Sequence, residues 1–185
     1  MSELNLEYLY SRQRYGVERE NSSTTTTYRA AWAWYLFNST ALELNYSESE
    51  QINNQKEQNA LSGTTVTITG YTNKIVNTVY GVGLRQALAP KGSRFRPSIS
   101  LGYAKQFVYD RTDYSFSEST SGSTFSLQGD PEKSRDDSIF GTFNLTMGIT
   151  QRISLSGSVK TVFPAFDFDK ARDYVQYTLG ISVYL

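Results

Sequence analysis

Three observations on this 185-residue chain predict an all-β fold: an eight-stranded antiparallel up-and-down transmembrane β-barrel. Apolar and polar residues alternate with period two through nearly every segment between turns, giving strands with two unlike faces. The connections run long, short, long, short, long, short, long, as in an even-stranded membrane barrel with tight turns on one side and long loops on the other. The two faces also differ in kind. One is large, apolar and almost free of charge; the other is mostly Gly, Ala, Ser, Thr and Asn with isolated charges. The length suits a single domain over residues 1–185.

The first strand carries Leu4, Leu6, Tyr8 and Tyr10 on one face and Asn5, Glu7, Leu9 and Ser11 on the other. A Ser/Thr-rich stretch at 17–27 reads as the first loop. In the second strand Tyr28, Ala30, Trp32, Trp34 and Leu36 alternate with Arg29, Ala31, Ala33 and Tyr35. Asn38-Ser39-Thr40 forms a turn. Leu42, Leu44 and Tyr46 then alternate with Glu43, Asn45 and Ser47. The polar segment 48–73 extends the flanking strands beyond the membrane before closing as a loop. The fourth strand places Thr78, Tyr80, Val82 and Leu84 opposite Asn77, Gly81, Gly83 and Arg85, and Pro90-Lys91-Gly92 turns the chain. Pro97, Ile99, Leu101 and Tyr103 follow, opposite Ser98, Ser100, Gly102 and Ala104. A second long polar stretch covers 110–136. Ile139, Phe143, Leu145 and Met147 face away from Thr142, Asn144 and Thr146, and Thr150-Gln151-Arg152 is a turn. Ile153, Leu155 and Val159 oppose Ser154, Ser156, Ser158 and Lys160. A last loop at 164–172 leads into Val175, Tyr177, Leu179, Ile181, Val183 and Leu185.

Composition excludes several functions. The 18 basic and 18 acidic residues cancel, so there is no electrostatic case for nucleic-acid binding. Cysteine and histidine are both absent, which removes disulfides, thiol nucleophiles, and the commonest general base and metal ligand. No enzyme activity, cofactor or metal is expected. No run of about 18 apolar residues is present, so no transmembrane helix is predicted. The mean hydropathy of −0.46 does not oppose a barrel, because lipid-facing and lumen-facing residues average out in any window. Polar residues begin at Ser2 and Glu3, so the chain reads as a processed form without a signal peptide.

Small residues on the polar face decide which way the barrel faces. A soluble lipocalin-like lipid carrier would turn Lys and Glu to water and line its cavity with the apolar face. Gly, Ala, Ser and Thr instead suit the crowded lumen of an eight-strand barrel, with the aromatic face turned to lipid. The C-terminal strand from Tyr177 to Leu185 and the Tyr28–Trp34 strand with its Asn38-Ser39-Thr40 turn resemble small bacterial outer-membrane barrels typified by OmpX and the OmpA transmembrane domain. The resemblance covers essentially the whole chain. It implies the outer membrane of a Gram-negative bacterium. It also implies that Tyr177, Leu179, Ile181, Val183 and Leu185 form the signal read by the barrel-assembly machinery, although the family usually ends in Phe or Trp.

The inward charges are Glu7, Arg29, Glu43, Arg85, Arg96 and Lys160. An unpaired charge in a narrow lumen is costly, so they are expected to pair, Glu7 with Arg29 and Glu43 with Arg85, as a plug closing the barrel. The competing reading is a gate whose pairs exchange partners to pass ions. Outward Arg12, Arg14 and Lys105 are placed to meet lipopolysaccharide phosphates. Tyr10, Tyr15, Tyr28, Tyr103, Phe107 and Tyr109 are expected in the outer aromatic girdle, with Phe37, Phe95 and Tyr184 near the inner one. Asp110, Asp113, Asp130, Glu132, Asp136 and Asp137 lack the spacing of a calcium loop and read as solvated charge. The predicted function is a monomer with a structural or cell-surface interaction role, meeting a surface or envelope partner through its loops. A small ion pore is the alternative.

Overall fold

The computed structural model describes every residue except 1, 17, 91, 119 and 165–174, and no side chain at 57–59 or 164. The strands are β1 (Ser2–Tyr15), β2 (Asn21–Tyr35), β3 (Thr40–Ala60), β4 (Val66–Ala87), β5 (Phe95–Glu118), β6 (Thr124–Gln128), β7 (Glu132–Gly148), β8 (Ile153–Pro164) and β9 (Gln176–Tyr184). All pairings are antiparallel. The sheet order β4-β3-β2-β1-β9-β8-β7-β5 is closed by β4 pairing with β5, so eight strands form a ring.

The ninth strand, β6, is not a stave of that ring. Among the described residues it pairs only with the upper part of β5, from Asp113↔Gln128 to Ser117↔Thr124, while β7 takes over lower down from Asp110↔Glu132. Together β6 and β7 form one returning arm broken at 129–131. Pro131 has no N–H to give, and the Gly129 N–H bonds Thr112 O at 3.0 Å across the break.

Two expected loops are mostly strand. The 17–27 stretch gives way to β2 at Asn21, because its Ser/Thr run pairs in register with β1, Arg12 opposite Thr24 and Arg14 opposite Ser22. β-Branched threonines fit that pleated surface. Segment 48–73 continues β3 and β4 to a tip at 61–65, as the expected extension required. The loop expected at 164–172 lies, past Pro164, outside the described residues.

The tight connections gather at one end of the ring. Leu36 N bonds Thr40 O at 3.0 Å, and Ile149 N bonds Ile153 O at 3.0 Å. Ser2 and Leu185 exchange backbone hydrogen bonds at 3.1 and 2.9 Å at this same end. The long hairpins rise from the other. At roughly 3.3 Å per residue, the 24 residues of β5 run to about 80 Å. A tilted strand needs only about 9–11 residues to cross a bilayer.

The alternation reads out directly in burial. Along β1, residues 3, 5 and 7 are buried, while Leu6 and Tyr8 are half-exposed. The outer face is a continuous apolar band that includes Trp32, Trp34, Leu84, Leu101 and Leu179, the last 75% exposed. Water-soluble monomers rarely leave so large a contiguous apolar surface uncovered. Its upper boundary is aromatic: Tyr8 packs on Tyr28 at 5.2 Å, Tyr46 on Tyr80 at 5.3 Å, and Phe107 on Tyr80 at 6.0 Å.

Candidate functional site

Two regions carry chemistry. The first is the lumen, where three carboxylates (Glu3, Glu7, Glu43) and four basic groups (Arg29, Arg85, Arg96, Lys160) are buried.

Arg85 is the hub at the turn end. Its Nε donates to Glu43 Oε2 at 2.6 Å and its Nη1 to Glu3 Oε1 at 3.1 Å. Glu43 also accepts from Ser100 Oγ at 2.7 Å and Asn45 Nδ2 at 3.1 Å. Glu3 Oε2 takes a hydrogen bond from the Tyr35 hydroxyl at 2.7 Å, and Arg96 Nη1 lies 3.9 Å from the same oxygen. The Arg96 guanidinium is held between two aromatic faces, 4.8 Å from the Tyr35 ring centre and 6.0 Å from that of Tyr184. Tyr184, expected near the inner girdle, therefore points inward and floors the lumen.

Glu7 anchors the upper cluster. It accepts from Asn5 Nδ2 and Ser158 Oγ, each at 2.8 Å, and from the Thr178 hydroxyl. Arg29 Nη1 approaches it at 3.5 Å and bonds Thr178 Oγ1 at 3.0 Å, while Nη2 reaches Gln176 Oε1 at 2.5 Å. Lys160 has no carboxylate within ion-pair distance among the described residues. It donates to Asn45 Oδ1 at 2.5 Å and sits 5.4 Å from the Phe140 ring centre. Among these groups lies a cavity of about 20 Å³ lined by Glu7, Arg29, Glu43, Arg85, Asn144 and Lys160. The interior is polar, the reverse of a lipid carrier's.

Phe140 is the largest of the fully buried side chains among the described residues, and it lies on this polar face. Its ring lies where Cβ atoms of three glycines would stand: 2.9 Å from that position at Gly81, 2.8 Å at Gly83 and 2.5 Å at Gly102. The glycines of adjacent β4 and β5 make its seat. Sequence reasoning missed both Phe140 and Glu3. Phe140 shares the parity of Ser138 and Thr142, and Glu3 shares that of Asn5 and Glu7, so alternation alone contained the signal.

The second region stands above the aromatic boundary, where the rings change from the outer face to the inner one. On β5 the outward residues Tyr103 and Phe107 have odd numbers, whereas Tyr114 and Phe116 are even and belong to the inner face. Tyr71 packs on Tyr114 at 6.1 Å, and Phe116 stacks on Phe125 at 5.1 Å with 13° between planes. The outer face here is ionic, with Lys74–Glu50 at 2.9 Å and Arg111–Asp113 at 2.9 Å. Below the boundary the sheet is apolar outside; above it the inner face is first polar, where Asn73 bonds Asn53, Asp110 and Thr112, and then aromatic at the top of β4, β5 and β6.

The remaining expected positions divide by face. Tyr10, Tyr28, Tyr103, Phe107 and Tyr109 are on the outer face, as are Arg12, Arg14 and Lys105, the last opposite Asp137. Tyr15 has the other parity: on the inner face its hydroxyl accepts from Gln55 Nε2 at 3.0 Å, a partner the girdle reading did not foresee. Tyr177, Leu179, Ile181 and Val183 form the outer face of β9, and Leu185 follows it. Asp110 accepts from Asn73 Nδ2 at 2.5 Å.

A closed ring of eight antiparallel strands, with charge inside and an apolar aromatic-edged band outside, defines a small β-barrel of the outer-membrane type. Among solved structures the chain is similar to the N-terminal β-barrel domain of Pseudomonas aeruginosa OprF, with a TM-score of 0.53 and 10% identity, covering 98% of this chain and 94% of that one. It is also similar to Ail, the attachment invasion locus protein of Yersinia pestis, in complex with the heparin analogue sucrose octasulfate. That likeness has a TM-score of 0.49 and 12% identity, covering 98% of this chain and 96% of that one. The likeness to the OprF barrel, at 10% identity, shows a shared fold alone. No protein-family model matches the sequence, and no curated protein matches it.

Proposed function

We propose that this chain is an integral protein of a Gram-negative outer membrane, with its lumen closed by the ion-pair network and a surface-interaction role carried by the sheet above the membrane. The observation that carries this reading is the aromatic inner face at the top of β4, β5 and β6, above the aromatic boundary. A strand extension serving only to close a loop has no need of an aromatic face in water. Here Tyr114, Phe125 and Leu127 remain exposed. Apolar area with no partner inside the molecule is what a binding surface offers. In this orientation the short turns face the periplasm and the long hairpins face outward. Arg12, Arg14 and Lys105 meet lipopolysaccharide phosphates at the outer rim. The β9 face of Tyr177, Leu179, Ile181, Val183 and Leu185 serves as the assembly signal.

The test has two parts. Refolded into detergent micelles, the chain should migrate differently in SDS before and after boiling, and the unboiled form should resist protease within the staves. Replacing residues 113–128 by an Asn-Gly turn should preserve that shift, while binding to intact cells or matrix-coated surfaces falls at least tenfold. Binding unchanged by the replacement overturns the assignment to this arm.

The closed lumen is tested separately. The wild-type chain should give no stepwise conductance in a planar bilayer. Steps of reproducible size, enlarged by Glu43→Ala, would put the pore reading ahead.

A further inference from the structure

In the ring every stave has a partner on both sides; β6 does not. Among the described residues it pairs with β5 alone and ends the sheet order. The connection from Pro164 to Gln176 is too short to cover its free side. Pro164 is level with Ser138, so a strand reaching Gln128 from there and returning to Gln176 needs roughly 80 Å of chain, against roughly 40 Å in the connection fully extended.

Edge strands are ordinarily blunted by charge, proline or a bulge, because bare N–H and C=O groups recruit another strand. The Thr-Phe-Ser-Leu-Gln sequence of β6 has no charge and no proline, and Phe125 and Leu127 are 50% and 59% exposed. Its pattern is also self-complementary. Laid antiparallel on a second copy about Ser126, it sets Phe125 opposite Leu127 and Thr124 opposite Gln128, with no like charges in apposition. The stack of Phe116 on Phe125 would then continue onto the second molecule's apolar face.

We infer that β6 is a self-recognition strand joining two copies of this chain held in opposed membranes, an inference that rests on the membrane orientation proposed above. The opposed arrangement follows from symmetry. An antiparallel pair of identical strands is related by a two-fold axis perpendicular to the sheet. The arm rises away from the membrane, so that axis lies parallel to the membrane plane and reverses the outward direction. The second barrel is thus in a facing bilayer and not beside the first. A five-residue edge falls far short of a stable interface on its own. Many such pairs between two surfaces act together through effective concentration, which makes the contact weak in solution and strong between cells.

Ser126 tests this directly, because at the centre of the pair it faces its own copy about 4.5–5.5 Å away. Lipid vesicles carrying the full refolded chain with loops outward should clump, read by light scattering. Ser126→Lys vesicles and Ser126→Glu vesicles should each clump at least tenfold more slowly, since like charges then stand opposite. Mixing the two should restore clumping to within about twofold of wild type, because the charges now complement. The inference is overturned if wild-type vesicles stay dispersed, if either variant clumps like wild type, or if the mixture is no faster than its parts. Dispersed wild-type vesicles that still bind cells or matrix would overturn self-pairing while leaving the surface-interaction reading intact. Loss of the boil-dependent SDS shift in wild type would remove both.

Discussion

Arg85→Met is expected to destabilise the barrel by about 3–5 kcal/mol, read as a lowered urea midpoint for unfolding from lipid vesicles. The arginine joins Glu43 to Glu3 across the lumen. Removing it leaves two carboxylates in an interior where Glu43 is 1% exposed and Glu3 is 3%. Much of the cost is the desolvation of charges that have lost their partner, so taking away one of those charges should recover part of it. The double variant Glu43→Gln/Arg85→Met should therefore lose less than the two single variants combined, by about 0.5–3 kcal/mol. Additive losses would mean that the Glu43–Arg85 contact contributes nothing as a pair. Glu3 keeps Tyr35 and Arg96 but still lacks Arg85 in the double variant, so recovery should be incomplete.

Phe140→Ala is expected to be comparably severe, about 3–5 kcal/mol, because the ring fills a space walled by backbone that has no side chain to move inward. The glycine seat allows a sharper test. At Gly81 an added Cβ meets chiefly the ring, at 2.9 and 3.1 Å, with the nearest backbone atom at 3.4 Å. At Gly102 it meets both the ring and the Val82 carbonyl oxygen of the neighbouring strand. Gly81→Ala should thus be relieved by Phe140→Leu, which yields room at the ring, whereas Gly102→Ala should not. Equal relief at both positions would mean that the strand backbones shift freely and that the seat is not rigid.

The fold was legible because a barrel strand writes its two environments in alternate residues, and a slip of one residue would exchange every side chain between lipid and lumen. Leu42 to Tyr46 and Ile181 to Leu185 carry that signal without interruption. The network was legible in part for the same reason. Glu43 and Arg85 lie on inward positions of adjacent strands, and the ladder places Glu43 beside Gly83, one inward step away. Glu3 escaped because a polar residue at the start of a chain looks like ordinary solvation, and Phe140 because an aromatic residue on a polar face breaks the rule that found the face. The move of the rings to the inner face above the membrane was written as a change of phase, from odd Tyr103 and Phe107 to even Tyr114 and Phe116. A polar composition across 110–136 masked it, since Ser and Thr suit either loop or strand when they are counted and not placed in register.

The seam between the first and last staves has a kinetic meaning. β3 and β4 are zipped from Thr40↔Gln86 up to Ala60↔Thr67, whereas β1 and β9 are paired only from Glu3↔Tyr184 to Tyr8↔Leu179. A ring opens where its joint is shortest. Amide protons of Leu179 and Ile181 should exchange with solvent deuterium well before those of Leu44 and Val82, and the barrel would then behave less as a rigid cylinder than as a clasp, fastened last and released first at one place.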